Sequence, residues 1–173
     1  MKSILLSTIA VFVLALSIPA AEVTTKLSDV HLCCQSCVKG VKAAVSKVPG
    51  ATTSVDADEG TVTLNGPDLA TVQKAADAVV RAGYFGKSSD PSIKLASDTG
   101  AGGHNVQSMK VEGVHLCCGK CVSAVDKAVK SVPGVKAHTA VKNAESFDVT
   151  GDFNDQAVFA ALQKAGLTGK VAK

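Results

Sequence analysis

The sequence is poor in aromatic residues. Tryptophan is absent, there is one tyrosine, and aromatic side chains make up 3% of the 173 residues. Proteins that hold single-stranded nucleic acid stack its bases on aromatic side chains, so this composition argues against such a platform. The net charge is only +3 and no long run of one sign occurs, so the basic patch of a nucleic-acid binder is missing as well. We expect no nucleic-acid partner.

The sequence also lacks the motifs of common catalytic sites. No nucleophile, base and orienting residue occur in a recognisable arrangement, and there is no glycine-rich phosphate loop. We therefore expect a binding protein and not an enzyme.

One long apolar run stands at the N-terminus. Lys2 precedes the run from Ile4 to Leu16, and the small residues Ala20 and Ala21 follow Pro19. This order is typical of a secretory signal peptide. The run is shorter than the roughly 20 apolar residues that span a membrane, so cleavage is favoured over a retained anchor. We predict a signal peptide at residues 1–21 and an exported protein, periplasmic or secreted, with no membrane span after cleavage.

The rest of the chain is built on a duplicated stretch. Val30–Cys37 reads Val-His-Leu-Cys-Cys-Gln-Ser-Cys, and Val114–Cys121 reads Val-His-Leu-Cys-Cys-Gly-Lys-Cys, 84 positions later. From Val30 to Gly50 the two copies align without a gap, and 13 of 21 positions are identical. All six cysteines lie in these copies. A repeat of this kind indicates two similar units, each of roughly 70 to 80 residues.

The cysteine spacing suits a metal site better than a stapling disulfide. Cys34 and Cys37 are three positions apart, as are Cys118 and Cys121, and a bridge between such neighbours would close almost no loop. Both pairs stand where a loop runs into a predicted helix, so the free N–H groups of the helix end favour thiolate. Soft thiolates select Cu(I), Zn(II) and other thiophilic ions.

Each copy carries one further cysteine and one histidine of undecided role. Cys33 and Cys117 could add a third sulfur, but a small buried apolar role is favoured because adjacent residues of an extended segment point to opposite sides. For His31 and His115 an exposed position at a strand end is favoured over a ligand role. His104 and His138 have no cysteine nearby in sequence and are interpreted as surface residues.

Apolar periodicity predicts the same order of elements twice. The valine stripe Val38, Val41, Val45 and Val48 follows helical spacing and ends at Pro49-Gly50. The predicted elements of the first unit are a strand at 22–32, a helix at 35–47, a hairpin at 52–56 and 61–64, a helix from 67 to 83 and a strand beginning at Tyr84-Phe85. Those of the second are a strand at 106–116, a helix at 120–131, a hairpin at 135–141 and 147–150, a helix at 154–165 and a strand leading through 171.

This order predicts the fold class. It is β-α-β-β-α-β twice, that is, two tandem α+β domains of the ferredoxin-like kind, each with an antiparallel sheet and two helices on one face. The predicted boundaries are 22–95 for the first domain and 106–173 for the second. Residues 96–105 contain Gly100, Gly102 and Gly103 and are predicted to be a flexible linker.

Each unit resembles the heavy-metal-associated domain family, which is found in copper chaperones, copper-exporting P-type ATPases and the periplasmic mercury-binding protein. The family pattern is Gly-Met-x-Cys-x-x-Cys, then a valine-rich helix and Pro-Gly-Val. Cys34–Val38 and Cys118–Val122 match its cysteine part, Val132–Val135 matches the helix end, and Ala82-Gly83-Tyr84 matches the Ala-Gly-Tyr before the last strand. The departures are His-Leu in place of Gly-Met, the extra cysteine in each copy, and Leu167 in place of the tyrosine.

The resemblance implies a function. Family members bind metal through the two cysteines of the motif, here Cys34, Cys37, Cys118 and Cys121. We therefore expect a carrier, chaperone or sequestering protein for a thiophilic ion, Cu(I) first, with Hg(II) or Zn(II) as alternatives. A membrane metal transporter or another metal-binding domain is the expected partner. The alternative from another class is a thiol–disulfide redox protein that uses the same cysteine pairs.

Overall fold

The computed structural model describes residues 22–172. The predicted signal peptide lies outside the described residues. Within the described part of the chain, none of the helices has the length and apolar character needed to cross a membrane.

The described chain is an α+β protein with two antiparallel sheets of four strands each. The elements of the first half are β1 (Val23–Ser28), α1 (Gln35–Val45), β2 (Thr52–Asp56), β3 (Thr61–Gly66), α2 (Leu69–Arg81) and β4 (Lys87–Ser88). Those of the second half are β5 (Asn105–Glu112), α3 (Gly119–Lys130), β6 (Val135–His138), β7 (Ser146–Asn154), α4 (Asp155–Lys164) and β8 (Lys170–Val171). The strand orders are β2-β3-β1-β4 and β6-β7-β5-β8, so equivalent strands occupy equivalent places.

The helices form where the sequence places an apolar stripe. In α1 the stripe residues Val38, Val41 and Val45 are buried, and the lysines lie on other faces. In α2 the Asp68 side chain accepts a hydrogen bond from the Thr71 N–H and so satisfies one free donor of the first turn. Each pair of helices packs together and against its own sheet. One continuous apolar core includes residues of both halves.

The last strand of the first half begins later than the sequence pattern indicated. Tyr84 is not part of β4 but forms an isolated antiparallel bridge with Leu167, and β4 begins only at Lys87. The apolar residues after each helix therefore pair with the other half and not with their own sheet. The first strand is also shorter than predicted, since β1 ends at Ser28 and the following residues leave the sheet.

Backbone hydrogen bonds join the two halves beside this bridge. The N–H of Phe85 donates to the carbonyl of Gly166 at 3.1 Å, and the N–H of Thr168 donates to the carbonyl of Gly83 at 3.0 Å. The N–H of His31 donates to the same Gly166 carbonyl at 3.2 Å. The approach requires glycine: a Cβ added at Gly83 would lie 2.4 Å from the Gly113 carbonyl oxygen, and one at Gly166 would lie 2.5 Å from that of Asp29.

The connection between the halves is held by Asp155, at the start of α4. Its carboxylate accepts hydrogen bonds from the backbone N–H groups of Gly102, Gly103 and His104, at 2.9, 2.8 and 3.0 Å. These contacts fix the end of the connecting segment against the second half. The predicted linker therefore runs into β5 along a defined path.

Candidate metal centre

The two Cys-x-x-Cys motifs stand at the starts of equivalent helices. Cys34 is the residue before α1 and has an extended backbone, with φ −166° and ψ 170°. Cys118 before α3 has nearly the same conformation, with φ −153° and ψ 172°. The second cysteine of each motif lies in the first helical turn. This geometry turns the two side chains of each motif toward one side of the helix end.

The sulfur atoms within each motif are close enough to share an ion. The Sγ atoms of Cys34 and Cys37 are 3.8 Å apart, and those of Cys118 and Cys121 are also 3.8 Å apart. All six cysteines are free thiols in the structure. Each motif is thus a ready chelating pair.

The extra cysteines bring the two motifs into a single cluster. Cys33 lies against the motif of the second half, and Cys117 lies against the motif of the first half. The contacts between sulfur atoms of different halves are Cys33–Cys118 at 3.3 Å, Cys33–Cys121 at 3.5 Å, Cys34–Cys117 at 3.6 Å, Cys37–Cys117 at 3.6 Å and Cys37–Cys121 at 4.0 Å. We call these six residues, Cys33, Cys34, Cys37, Cys117, Cys118 and Cys121, the six-sulfur cluster.

The cluster has a buried centre and a more open edge. Cys37 and Cys121 are fully buried, whereas the other four cysteines are half-buried. A metal ion held here would be shielded by the buried pair and still be reachable from the side of Cys34 and Cys118.

The thiols at the helix starts, Cys34 and Cys118, have lowered pKa values. The backbone N–H of Cys37, aligned with the start of α1, is the main reason why the pKa of Cys34 is lowered to about 6, although it makes no regular capping bond to that sulfur. The backbone N–H of Cys121 lowers the pKa of Cys118 in the same way, with a smaller contribution from the backbone N–H of Lys120. The thiolate is the form that binds metal.

The thiols of Cys33, Cys117 and Cys121 have raised pKa values while the protein is free of metal. Burial, together with the neighbouring sulfur of Cys118, raises the pKa of Cys33 to about 12. Burial is likewise the main reason why the pKa values of Cys117 and Cys121 are raised. A bound cation would reverse these shifts, because a metal ion stabilises a coordinating thiolate outright.

The sequence favoured an exposed position at a strand end for His31 and His115. The structure shows that this prediction is wrong. Both are half-buried, and the Nε2 atoms of His31 and His115 are buried without a hydrogen-bond partner. Burial lowers the pKa of both rings. A ring nitrogen of His31 also lies within 4.8 Å of the sulfur atoms of Cys33 and Cys121.

Tyr84, the one tyrosine of the sequence, packs beside the six-sulfur cluster. Tyr84 is fully buried, and its hydroxyl donates a hydrogen bond to the carbonyl of Cys37 at 3.1 Å. Its ring packs on the ring of His115, with centroids 4.6 Å apart. The family resemblance implies a tyrosine beside the cysteine loop of its own half, and Tyr84 does contact Cys37 there. Its contact with His115 of the other half could not be predicted from the sequence.

The other two histidines lie away from the cluster. His104 is exposed, as predicted. His138 is not a surface residue: its side chain is 8% exposed, and its Nε2 lies 2.9 Å from the carboxylate of Asp126. Asp126 and His138 are twelve positions apart in the sequence, and this spacing did not predict that they pair.

The donor set is soft. Among the described residues, the groups that could hold a metal ion consist of cysteine sulfur, with His31 the one other contributor. Such donors fit Cu(I), Zn(II) or another thiophilic ion and not a hard cation such as Mg²⁺ or Ca²⁺. The residues present therefore match a thiophilic metal.

Comparison with known proteins gives one family match and two similar relatives. Residues 26–85 match the heavy-metal-associated domain family. The chain is 30% identical over 151 residues to copper-transporting ATPase 2 of Rhizobium meliloti and 31% identical over 147 residues to copper-transporting ATPase 1 of the same organism. These matches cover 83% and 81% of this chain but only 16% and 15% of the two relatives.

Solved structures include similar single domains. The N-terminal domain of PacS from Synechocystis PCC6803 is 25% identical, is covered completely and covers 39% of this chain, with a TM-score of 0.36. The N-terminal soluble domains of Bacillus subtilis CopA cover 90% of this chain at 15% identity, with a TM-score of 0.31. Scores this low add nothing to the sequence match. Residues 26–85, which include the first Cys-x-x-Cys motif, are therefore similar to the heavy-metal-associated domain family.

Proposed function

We propose that this chain is an exported carrier or sequestering protein for thiophilic metal ions, built from two tandem heavy-metal-associated domains. Each domain would coordinate its ion through its Cys-x-x-Cys, that is, Cys34 with Cys37 and Cys118 with Cys121. The observation that carries this proposal is the pair of equivalent helix starts, each holding two sulfur atoms 3.8 Å apart within one all-sulfur cluster. The boundaries at 22–95 and 106–173 belong to the proposal.

Cu(I) is the ion that we propose first, with Hg(II) and Zn(II) as alternatives. Thiolate sulfur is a preferred ligand of all three, whereas the described cluster offers no oxygen ligand. The names of the two Rhizobium meliloti relatives state that they transport copper, and this favours Cu(I) among soft ions.

The proposed mechanism is ligand exchange without a change of oxidation state. Cys34 and Cys118 are half-buried and have lowered pKa values, so they can meet an incoming ion or the thiolate of a partner. Cys37 and Cys121 are buried and hold the ion from the inside. A thiolate of a partner would then replace the outer sulfur first and the inner sulfur second. The expected partner is a membrane metal transporter or another metal-binding domain.

Anaerobic titration with Cu(I) against a colorimetric chelator tests the proposal. The variant Cys34→Ser with Cys37→Ser should bind one ion fewer than the wild type, because its first pair is lost and its second is intact. Ser36→Ala is the matched control, since it changes an exposed residue between the two cysteines and removes no sulfur. Unchanged stoichiometry in the double variant would show that these cysteines are not the ligands.

A further inference from the structure

We infer that the two metal ions are held at crossed sites, each completed by the extra cysteine of the opposite half. The first crossed site consists of Cys34 and Cys37 with Cys117. The second consists of Cys118 and Cys121 with Cys33. This inference rests on the proposed metal-binding function and specifies its ligands.

The distances within each set suit three-coordinate binding. The three sulfur separations of the first crossed site are 3.8, 3.6 and 3.6 Å. Those of the second are 3.8, 3.3 and 3.5 Å. A metal–thiolate bond of about 2.3 Å places three sulfurs in a plane about 4.0 Å apart, and two opposite sulfurs about 4.6 Å apart. Both sets are closer to the trigonal than to the linear spacing.

The rival arrangement takes all three sulfurs from one half. Cys117, Cys118 and Cys121 do lie within 4.8 Å of one another. However, Cys117 and Cys118 are adjacent in the chain, and the extended backbone at Cys118 turns neighbouring side chains to opposite sides. Each extra cysteine also lies 3.7 Å from the second cysteine of its own motif, so the two arrangements differ in the distance to the first cysteine of the motif. That distance is 3.3 Å for Cys33–Cys118 and 3.6 Å for Cys34–Cys117 across the halves, and these contacts favour the crossed sets. Every separation within the crossed sets is 3.8 Å or less.

The crossed arrangement also uses each cysteine once. Two ions can bind without sharing a sulfur atom, and no cysteine of the cluster is left over. This explains why both halves carry the extra cysteine at the same position, since each half supplies the third ligand for the other.

The contact between the two halves positions the cysteines of one half next to those of the other. The bridge between Tyr84 and Leu167 joins the two segments that follow α2 and α4. Glycines at 83 and 166 let each segment approach the residues just before the opposite motif, so that the N–H of His31 reaches the Gly166 carbonyl. The sulfur atoms of the two halves are thus brought together before any ion arrives, which lowers the cost of organising the site.

Two variants with three cysteines each separate the crossed from the within-half arrangement. The crossed variant carries Cys33→Ser, Cys118→Ser and Cys121→Ser, and so retains Cys34, Cys37 and Cys117. The within-half variant carries Cys117→Ser, Cys118→Ser and Cys121→Ser, and so retains Cys33, Cys34 and Cys37. The two proteins differ only at positions 33 and 117. The full chain is loaded anaerobically with one equivalent of Cu(I), and X-ray absorption counts the sulfur neighbours of copper.

We expect three sulfurs around copper in the crossed variant and two in the within-half variant. The loss of one ligand should weaken Cu(I) binding on the order of 10–100-fold, the range seen when a supporting group of a metal site is removed. Three sulfurs in the within-half variant, or the same sulfur count and affinity in both, would overturn the crossed assignment. Circular dichroism of both metal-free proteins checks that they fold, and Ala replaces Ser at buried position 121 in both if they do not.

The same samples separate this inference from the proposed function. Failure of the wild-type chain to bind Cu(I), Hg(II) or Zn(II) would defeat the proposed function itself. Normal binding by the wild type with three sulfurs in the within-half variant would defeat only the crossed assignment.

Discussion

The hydroxyl of Tyr84 donates a hydrogen bond of 3.1 Å to the main-chain carbonyl of Cys37. This contact links the segment that follows α2 to the first turn of α1, which contains Cys37, the second cysteine of the motif. The second half has Leu167 at the equivalent position, so its inner cysteine lacks this support. The two halves also differ at Gly40 of α1. Glycine leaves room there for the tyrosine, because a Cβ would lie 2.5 Å from the Tyr84 hydroxyl oxygen. The equivalent residue of α3 is Ala124.

Removal of the tyrosine hydroxyl should destabilise the metal-free protein modestly. Tyr84→Phe keeps the buried ring and deletes one buried hydrogen bond, for which we expect a loss of about 0.5–1.5 kcal/mol in the free energy of unfolding. Urea denaturation followed by circular dichroism measures this. An unchanged midpoint would mean that the hydrogen bond contributes nothing to the fold.

A double-mutant cycle tests whether Gly40 exists to make room for Tyr84. Gly40→Ala alone should be destabilising by about 1–3 kcal/mol, because its methyl group would overlap the hydroxyl. In the Tyr84→Leu background the same substitution reproduces the pairing of the second half. There it should be neutral or stabilising by up to about 1 kcal/mol, since alanine favours a helix over glycine. Equal effects in both backgrounds would contradict the steric explanation.

Gly166 provides a test of the contact between the halves. Its φ is +77°, and a Cβ there would lie 2.5 Å from the Asp29 carbonyl oxygen and 2.5 Å from the His31 nitrogen. Gly166→Ala should therefore weaken the contact in addition to straining its own backbone. Gly113 is the matched control, because its φ is also +77° but a Cβ there would meet nothing within 4 Å.

We expect Gly166→Ala to be clearly more destabilising than Gly113→Ala, which should show only the backbone strain of about 1–2 kcal/mol. Gly166→Ala should also lower the sulfur count around bound Cu(I), whereas Gly113→Ala should not. Equal effects of the two substitutions on stability and on the sulfur count would show that the halves do not depend on this contact.

The thiols should differ in their reaction with an alkylating reagent in the reduced, metal-free protein. Cys34, with a pKa lowered to about 6, should react rapidly at pH 7, and Cys33, with a pKa raised to about 12, should react slowly. The rate at Cys34 should be constant above about pH 7 and fall below about pH 6, whereas the rate at Cys33 should rise throughout the alkaline range. Tandem mass spectrometry of the alkylated peptide distinguishes the two residues. Equal rates would contradict this assignment.

The same pKa shifts predict how the stability of the metal-free protein depends on pH. Because folding lowers the pKa of Cys34, its contribution is present above the unfolded pKa of about 8.5 and is lost as pH falls through about 6. Because folding raises the pKa of Cys33, its contribution is present below the unfolded pKa and is lost as pH rises toward about 12. Cys117 and Cys121 share the direction of Cys33. The urea midpoint should therefore fall above about pH 9, and Cys33→Ala should reduce that fall.

Much of the architecture could be predicted from the sequence because it depends on local patterns. The valine stripe of α1, the Pro-Gly ends of the helices and the alternation in β3 predicted an α+β fold with antiparallel sheets, and the structure confirms this. The resemblance to the heavy-metal-associated domain family is also confirmed, over residues 26–85. The start of β4 was placed wrongly because Tyr84 pairs with the other half, and no local pattern reports such a contact.

The convergence of six sulfur atoms could not be predicted for the same reason. Each motif predicted a chelating pair of its own, but the position of Cys33 against Cys118 depends on how two separate units pack. The duplicated Cys-Cys-x-x-Cys was a signal that both extra cysteines share one role. The side-chain alternation of an extended segment showed that Cys33 and Cys34 diverge, but not what Cys33 would meet.

The metal content of the protein purified under anaerobic conditions from its own cells tests the central claim most directly. Elemental analysis should find two thiophilic ions per chain, copper first, and thiol counting after removal of the metal by a chelator should find six free thiols. Purified protein that contains no metal and has disulfides between Cys34 and Cys37 and between Cys118 and Cys121 would contradict the account. That result would favour thiol–disulfide chemistry at the same cysteines.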